Sequence, residues 1–300
     1  MSASTSPPPA STSPVSAPAI TAIPNGPQST GDGLPIEADL APLVADMRLL
    51  VEAAYPPGAL EPYDAAWLTD HCLARYLRAR EKSVPKAFKM LQETVAWRKS
   101  FGVAKLMTGS LDVVIKEGKT GKIVVHGWDK SGRAVIILRP KHQNTKAHDP
   151  QMQHLVYSLE RVIMNMRKGQ EKLVLLLDFA GYSLFNAPSF KTQKETLNIL
   201  QNHYPERLGQ SIMVDAPTLF WASFKMVKPF IDPVTVQKIK FFNSEKYKPG
   251  TVARKYMDEN FNPSEMMKDY GGDIDYKYNV EEYMKERWIP FYCQGQMEDK

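Results

Sequence analysis

Five consecutive apolar residues, Leu173 to Leu177, closed by Asp178, constrain this chain more than any other stretch. A strand with one wet face alternates apolar and polar side chains, whereas an unbroken apolar run has no wet face. Leu173–Asp178 is therefore expected to be a central strand covered on both faces. It is the most apolar run of the chain, and it is far short of the about 20 apolar residues that span a bilayer. If the protein meets membranes, it visits them.

The flanking texture sets the fold class. Ile123–Val125 and Ala134–Leu138 flank Asp129-Lys130-Ser131-Gly132, a hairpin signal. Leu155–Met166 reads as a helix, as do Lys191–Asn202 and Thr218–Val227, with strands at Ser211–Val214 and Ile239–Phe242. Strands alternating with helices predict an α/β fold with a mixed, partly parallel sheet. Upstream, Leu40 to about Gly102 reads as helices only. Thr69 and Asp70 offer an N-cap before Cys72, Leu73, Tyr76 and Leu77. Ser83, with Pro85 in the first turn, starts a helix carrying Ala87, Leu91, Val95 and Trp97. Leu43, Met47 and Leu50 suggest an earlier helix. The expected organisation is a disordered tail over 1–39, a helical domain over 40–104, an α/β lobe over 105–275 and an extension over 276–300. The tail reads as disordered because its Ser, Thr, Pro and Ala cannot repay the entropy of ordering.

Composition excludes several classes. The net charge of +5 is too mild for nucleic acid and suits transient contact with an anionic membrane. Two cysteines, Cys72 and Cys293, make neither a disulfide framework nor a zinc knuckle, so a reducing compartment is expected. The N-terminus lacks the apolar core of a signal peptide, and its first basic residue is Arg48. The six histidines show no metal-ligand spacing, and no cofactor is expected.

Three enzyme-like patterns fail on physical grounds. His71-Cys72 followed by Arg78 has the spacing of a cysteine phosphatase, but the intervening residues form a helix whose amides are already bonded. Gly118-Lys119-Thr120 resembles the end of a P-loop, yet Val113 stands where its first glycine is required. Gly181-Tyr182-Ser183-Leu184-Phe185 follows a buried strand, where a hydrolase nucleophile elbow sits. The elbow needs a second glycine for close backbone approach, and Phe185 occupies that position. A lipid hydrolase using Ser183 is the enzymatic alternative.

Two segments remain. Pro205 stops a helix, leaving Glu206 and Arg207 in a turn before the Ser211 strand. A helix from Thr218 gathers Leu219, Phe220, Phe224, Met226 and Val227 on one face, with Trp221, Lys225 and Lys228 on the other. That second face resembles a membrane-interface surface, and a tryptophan packed on lysine stems or a neighbouring loop is the structural alternative. Pro229 ends this helix. Asp232-Pro233 then starts a short turn on which Thr235 and Lys238 lie on one side, so a hydroxyl and an ammonium converge.

At these residues the chain resembles the CRAL-TRIO lipid-binding family, in its phosphatidylinositol-transfer branch, from about Leu43 to Gly272. The resemblance is carried by Arg75-Tyr76-Leu77-Arg78-Ala79-Arg80, by His203-Tyr204-Pro205-Glu206-Arg207-Leu208-Gly209, and by Lys228 through Ile239. It implies a CRAL-TRIO fold, a helical bundle packed on an α/β lobe whose sheet floors an apolar lipid cavity. It implies that Arg80, Glu206, Arg207, Thr235 and Lys238 hold an inositol phosphate. Arg80 also falls on the Leu73, Tyr76, Leu77 stripe and is expected to point inward. A gate is implied over Leu219 to Ile231, including Phe220, Trp221, Phe224, Lys225, Lys228 and Phe230. In members that also carry phosphatidylcholine, hydroxyl and tyrosine residues hold the second headgroup. Ser183 matches one of them, whereas Phe185, Leu159 and Val124 or Val125 replace others, so that pocket is expected to be apolar. The expected protein is a non-enzymatic, monomeric, cytoplasmic carrier of phosphatidylinositol, peripheral on membranes. A sterol or other neutral lipid is the alternative or second ligand, and a sensor role is the alternative to transport.

Overall fold

The computed structural model describes residues 34–167, 169–183, 185, 187–218, 220–221, 224, 228, 233–243 and 247–285. Residues 1–33 of the expected 1–39 tail, Cys293, the gate positions Leu219, Lys225 and Phe230, and Met226 and Val227 lie outside these residues.

The N-terminal layer is helical: α1 (Ala41–Ala54), α2 (Pro62–Trp67), α3 (Asp70–Ala79), α4 (Val84–Phe101), α5 (Val103–Thr108) and α6 (Asp112–Gly118). Local chemistry starts and stops these helices. Thr69 Oγ1 accepts from the Cys72 amide at 3.2 Å, capping α3. Ser83 holds the N-cap position of α4 without a side-chain bond, so Pro85 in the first turn carries the start. Gly102, at φ 79°, ends α4 in the left-handed conformation. Val44, Met47 and Val51 of α1 pack with Cys72, Leu73, Tyr76 and Leu77 of α3 and with Ala87 and Leu91 of α4. Leu50, expected in that stripe, is exposed. Cys72 is fully buried, and burial pushes its thiol up, so it is an inert core residue. Gly118 closes a helix instead of opening one, which settles the P-loop resemblance in the negative.

The lobe holds a five-stranded sheet in the order β1 (Ile123–Trp128), β2 (Ala134–Leu138), β3 (Leu173–Asp178), β4 (Leu208–Val214), β5 (Ile239–Phe242). β1 and β2 form the expected antiparallel hairpin, in which Asp129 Oδ1 accepts from the Ser131 and Arg133 amides at 3.0 and 2.9 Å. The pairs β2–β3, β3–β4 and β4–β5 are parallel. Helix α7 (His148–Met164) connects β2 to β3, and α8 (Phe190–His203) connects β3 to β4. The segment from Thr218 and the short α9 (Pro233–Gln237) lead to β5, after which α10 (Val252–Asn260) and α11 (Val280–Lys285) follow. α7 begins seven residues before its expected start because its first turn is polar. β4 begins at Leu208 and not Ser211, because Gln210 is satisfied inside the sheet by Asp129 Oδ2 at 3.1 Å and by Tyr256 Oη.

The two faces of the sheet differ. On one face Val174 and Leu176 of β3 and Ile212 of β4 are wholly buried. α10 and the turns after it seal this face: Tyr270 Oη donates to Asp178 Oδ2 at 3.0 Å, and Tyr256 stacks on Phe242. On the other face Leu175 and Leu177 of β3 align with Ser211 and Met213 of β4 and with Ile239 and Phe241 of β5. Leu175, Leu177, Ile239 and Phe241 are only half-buried. β3 is central as expected, but it is covered fully on one face and partly on the other.

Two buried histidines give this core a pH signature. His126 and His154 are 2% and 1% exposed, and neither His126 ring nitrogen nor His154 Nδ1 has a partner among the described residues. Burial pushes His126 down to about 4, with Arg139 adding to the effect, and pushes His154 down to about 3, with Lys122 adding. Both rings stay neutral in the fold, while the unfolded chain takes up protons below the ordinary value of 6.5. Stability is therefore expected to be full above pH 6.5 and to fall as the pH drops toward the folded values, by about 2 kcal/mol per histidine between pH 7 and 5. Urea midpoints across that range measure this, and His154→Gln should flatten the profile.

Candidate functional site

Of the expected headgroup residues, Glu206, Arg207, Thr235 and Lys238 lie just before the strands along one edge of the sheet. Glu171 precedes β3, Arg207 precedes β4 and Lys238 precedes β5, so the starts of three parallel strands lie side by side. The backbone fixes this arrangement. The Leu173 amide donates to the Arg207 carbonyl at 2.7 Å, and the Ser211 amide donates to the Lys238 carbonyl at 2.9 Å. The Lys238 amide bonds the Thr235 carbonyl at 3.1 Å at the end of α9, so Thr235 and Lys238 do share one helical turn. From the level of Lys238 on the ladder, Arg207 lies three residues upstream of Gln210, about 10 Å along the strand direction.

Glu206 is half-buried with φ 58°, a left-handed conformation unusual for a residue with a Cβ. Glu81 and Lys82, which follow Arg80, have φ 53° and 62°. Backbone held in such conformations clusters at functional sites. Arg80 itself is the C-cap of α3, half-buried, with Nη1 donating to the Ala79 carbonyl at 2.8 Å. The inward arginine of that helix is Arg75, 3% exposed, because position 75 lies among Cys72, Leu73, Tyr76 and Leu77 and before the helix ends.

Arg207 is also turned inward, at 5% exposure, and donates from Nη1 to the Glu171 carbonyl at 2.9 Å. Burial pushes its guanidinium down to about 9 and the neighbouring Arg75 charge adds to that, so it remains a cation at neutral pH. Glu171 answers this cluster. Its carboxylate takes Arg75 Nη1 at 3.2 Å, Arg78 Nη1 at 2.9 Å and lies 3.6 Å from His71 Nδ1. Residue-by-residue reading of the motif missed Arg75, Arg78 and Glu171. A basic residue on the apolar stripe of α3 was the signal that an acidic partner is buried opposite it.

Ser183 lies elsewhere. It follows β3, at the strand-end edge of the sheet, about 20 Å from the strand-start edge by the length of β3. It is half-buried and no histidine bonds it among the described residues. Phe185 is 88% exposed and so does not line an internal pocket, whereas Val124, Val125 and Leu159 are core residues. The expectation for Phe185 is thus overturned: the chain after β3 turns its ring to solvent. The segment from Thr218 begins at this same edge. Phe220, Trp221 and Phe224 all reach Phe241 of β5, with ring centroids 6.4, 4.0 and 5.4 Å apart. Trp221 therefore shares the sheet-facing side with Phe220 and Phe224, although 39% exposed, and is not grouped with the exposed Lys228. Ring stacking on Phe241 outweighs the ideal helical phase that put Trp221 opposite. Phe220, Trp221 and Phe224 roof the half-buried face of the sheet at β5.

Among the described residues no helix is long and apolar enough to cross a membrane. The CRAL/TRIO domain family model matches residues 118–272, and the CRAL/TRIO N-terminal domain model matches residues 40–93. A CRAL-TRIO domain-containing protein of Schizosaccharomyces pombe is 41% identical over 72% of this chain and 20% of its own length. The phosphatidylinositol transfer protein PDR17 of Saccharomyces cerevisiae is 32% identical over 75% of this chain and 63% of its own. The chain thus spans a fifth of the first relative and under two thirds of the second. The crystal structure of Sfh5 aligns with a TM-score of 0.61 at 17% identity, covering 83% of this chain and 92% of that one, a likeness of fold.

The Glu171 cluster yields a stability contrast. Glu171→Ala removes the carboxylate that the buried Arg75 bonds and leaves it beside Arg207, and is expected to cost about 3–5 kcal/mol. Glu37 also pairs with Arg78, at 2.7 Å, but its side chain is half exposed, so Glu37→Ala is expected to cost under about 1 kcal/mol. Denaturant unfolding of both variants checks the difference.

Proposed function

Because the chain belongs to the CRAL-TRIO lipid-binding family, we propose that it is a non-enzymatic carrier of phosphatidylinositol. It takes the lipid from one membrane, shelters the acyl chains against the half-buried face of the sheet, and releases it at another. The carrying observation is the pairing of that apolar face with a row of polar side chains along the strand-start edge of the same sheet. Leu175, Leu177, Ile239 and Phe241 supply the apolar floor, and Glu206, Arg207, Thr235 and Lys238 the polar edge.

Two acyl chains hold about 30 methylenes, each worth about 0.8 kcal/mol on burial, so about 24 kcal/mol keeps them out of water. No headgroup contact offsets that, and exchange therefore takes place with the roofing segment docked on a bilayer. At the polar edge Lys238 neutralises the phosphate and Thr235 adds a hydrogen bond. Arg207, held inside by Glu171, contributes positive potential. Arg80 swings from its own helix end onto the phosphate, exchanging the Ala79 carbonyl for a charge-assisted partner. Glu206 accepts from inositol hydroxyls. In this reading the chain is a monomer that visits membranes from the cytoplasm and needs no cofactor.

One observation favours a second ligand of another class. Ser211 is 1% exposed on the floor side of β4, and its hydroxyl has no partner among the described residues. A single buried hydroxyl in an apolar setting suits a sterol hydroxyl or an ester carbonyl better than a charged headgroup.

Transfer of labelled phosphatidylinositol between vesicles tests the main reading. Lys238→Ala, with fold intact, should retain less than about a tenth of wild-type transfer, since truncating a partner of a buried charge contact costs about 2–5 kcal/mol. Near wild-type transfer by that variant removes the assignment. Phosphatidylcholine should move far more slowly under the same conditions, because Val124, Val125 and Leu159 offer its headgroup no polar contact. Mass spectrometry of lipids copurifying from the protein's own cells separates the phosphoinositide and neutral-lipid readings.

A further inference from the structure

The loop between β3 and α8 carries two aromatic rings that the carrier mechanism does not use. Phe185 is 88% exposed and Phe190, the first residue of α8, is 82% exposed. Single exposed apolar side chains are ordinary. Two nearly bare phenylalanines five residues apart, on the same connection, are not. Neither belongs to the floor of the sheet or to its roof.

Lysines frame them. Lys146 Nζ donates to the Phe185 carbonyl at 2.6 Å, tying the start of the α7 connection to the loop. The Lys141 stem lies against Gly181, whose φ of 69° turns the chain there. Lys191 and Lys194 are exposed in the first turns of α8. His148 Nδ1 lies 3.1 Å from Thr192 Oγ1 and pins the start of α7 to the start of α8, so these lysines belong to one end of the lobe. Asp149 and Glu195 share that end, leaving an excess of positive charge. The patch also adjoins the roof. Phe179, at the head of the loop, packs against Phe220 with tilted rings at a centroid distance of 4.5 Å, next to the partly exposed Trp221.

We propose that this end of the lobe is a membrane-docking surface separate from the roofing segment. Phe185 and Phe190 insert at the boundary of headgroups and acyl chains, and Lys141, Lys146, Lys191 and Lys194 meet anionic lipid phosphates. Exposed aromatic rings beside lysines match the layered chemistry of an anionic bilayer surface, apolar below and negative at the top. They match a protein partner less well, because a protein interface core excludes lysine. The proposal rests on the carrier reading for its purpose: docking here lays the roof's Phe220 end against the bilayer from which lipid enters.

The test uses the full chain and vesicles of phosphatidylcholine with or without phosphatidylserine, containing no inositol lipid, so that it reads docking apart from headgroup recognition. Co-sedimentation of wild type, Phe185→Ala/Phe190→Ala and Lys191→Ala/Lys194→Ala is measured together with bound-lipid content by mass spectrometry and molar mass by light scattering. The phenylalanine double variant is expected to partition at least tenfold more weakly, while keeping its bound lipid and its molar mass. The lysine double variant should lose affinity several-fold on serine-containing vesicles at low salt only, with the difference vanishing at high salt, where screening is short-ranged. Unchanged partitioning of the phenylalanine variant overturns the proposal, as does failure of the wild type to bind anionic vesicles. A fall in molar mass on removing the rings also overturns it, since the patch then covers a second copy of the chain. Absence of phosphatidylinositol transfer by the wild type, with docking intact, would instead count against the carrier reading alone.

Discussion

Arg98 of α4 is 1% exposed, and the junction between the helical layer and the lobe is organised around its charge. Its Nε donates to Asp64 Oδ1 of α2 at 2.7 Å and its Nη1 to Glu160 Oε1 of α7 at 3.0 Å. Glu160 is completed by Tyr63 Oη at 2.9 Å and Tyr204 Oη at 2.7 Å, and the guanidinium lies 4.6 Å from the Trp67 ring centroid. Burial pushes the Glu160 carboxyl up, but the Arg98 charge and the hydrogen bonds from Arg98, Tyr204 and Tyr63 outweigh it, and the group stays below its ordinary range. A buried ion pair of this kind is tolerable only when nearly every lone pair is answered. That condition fixes four elements relative to one another, because Asp64 of α2, Arg98 of α4, Glu160 of α7 and Tyr204 at the end of α8 each come from a different part of the chain.

The Glu171 cluster repeats the logic one step closer to the polar edge. Arg75 and Arg78 of α3 meet Glu171 just before β3, and Arg207 just before β4 bonds the Glu171 carbonyl. Helix α3 is thereby clamped to the starts of two strands. The same clamp holds Glu206 in its left-handed turn, since its neighbour Arg207 is immobilised by burial on one side and by the Leu173 amide on the other. The strained turn is a consequence of the charge cluster behind it.

Much of this was legible in the residues. The central strand, the hairpin around Asp129, β5 and the helices up to Gly102 follow from apolar runs and turn chemistry, which are local signals, whereas α5 and α6 were not read. The polar residues at the strand starts were legible through motif resemblance. What stayed hidden depends on partners far apart in sequence. Nothing near Glu171 announces that it answers Arg75 and Arg78, 96 and 93 residues away. Gln210 reads as a poor strand residue until Tyr256 and Asp129 are known to satisfy it. Trp221 was placed by ideal helical phase, which carries no information about Phe241. Phe185 was placed by matching a motif position, and the path of the chain after β3 is not part of any motif.

The direction of the sheet then separates two kinds of chemistry. Because β2, β3, β4 and β5 are parallel, the starts of these four strands lie on one edge and their ends on the other. Connections into the strands gather Glu171, Arg207 and Lys238, and the Glu171 carboxylate and Arg207 guanidinium are held by buried partners. Connections out of the strands gather the buried Phe179, the half-buried Phe220 and the exposed Phe185. An antiparallel sheet would alternate starts and ends along each edge and mix the two sets. The parallel order keeps the Arg75, Glu171 and Arg207 cluster at the edge opposite Phe185. It also leaves the half-buried face between the edges apolar, so a molecule with one charged end and one apolar end has a single orientation in which both are satisfied.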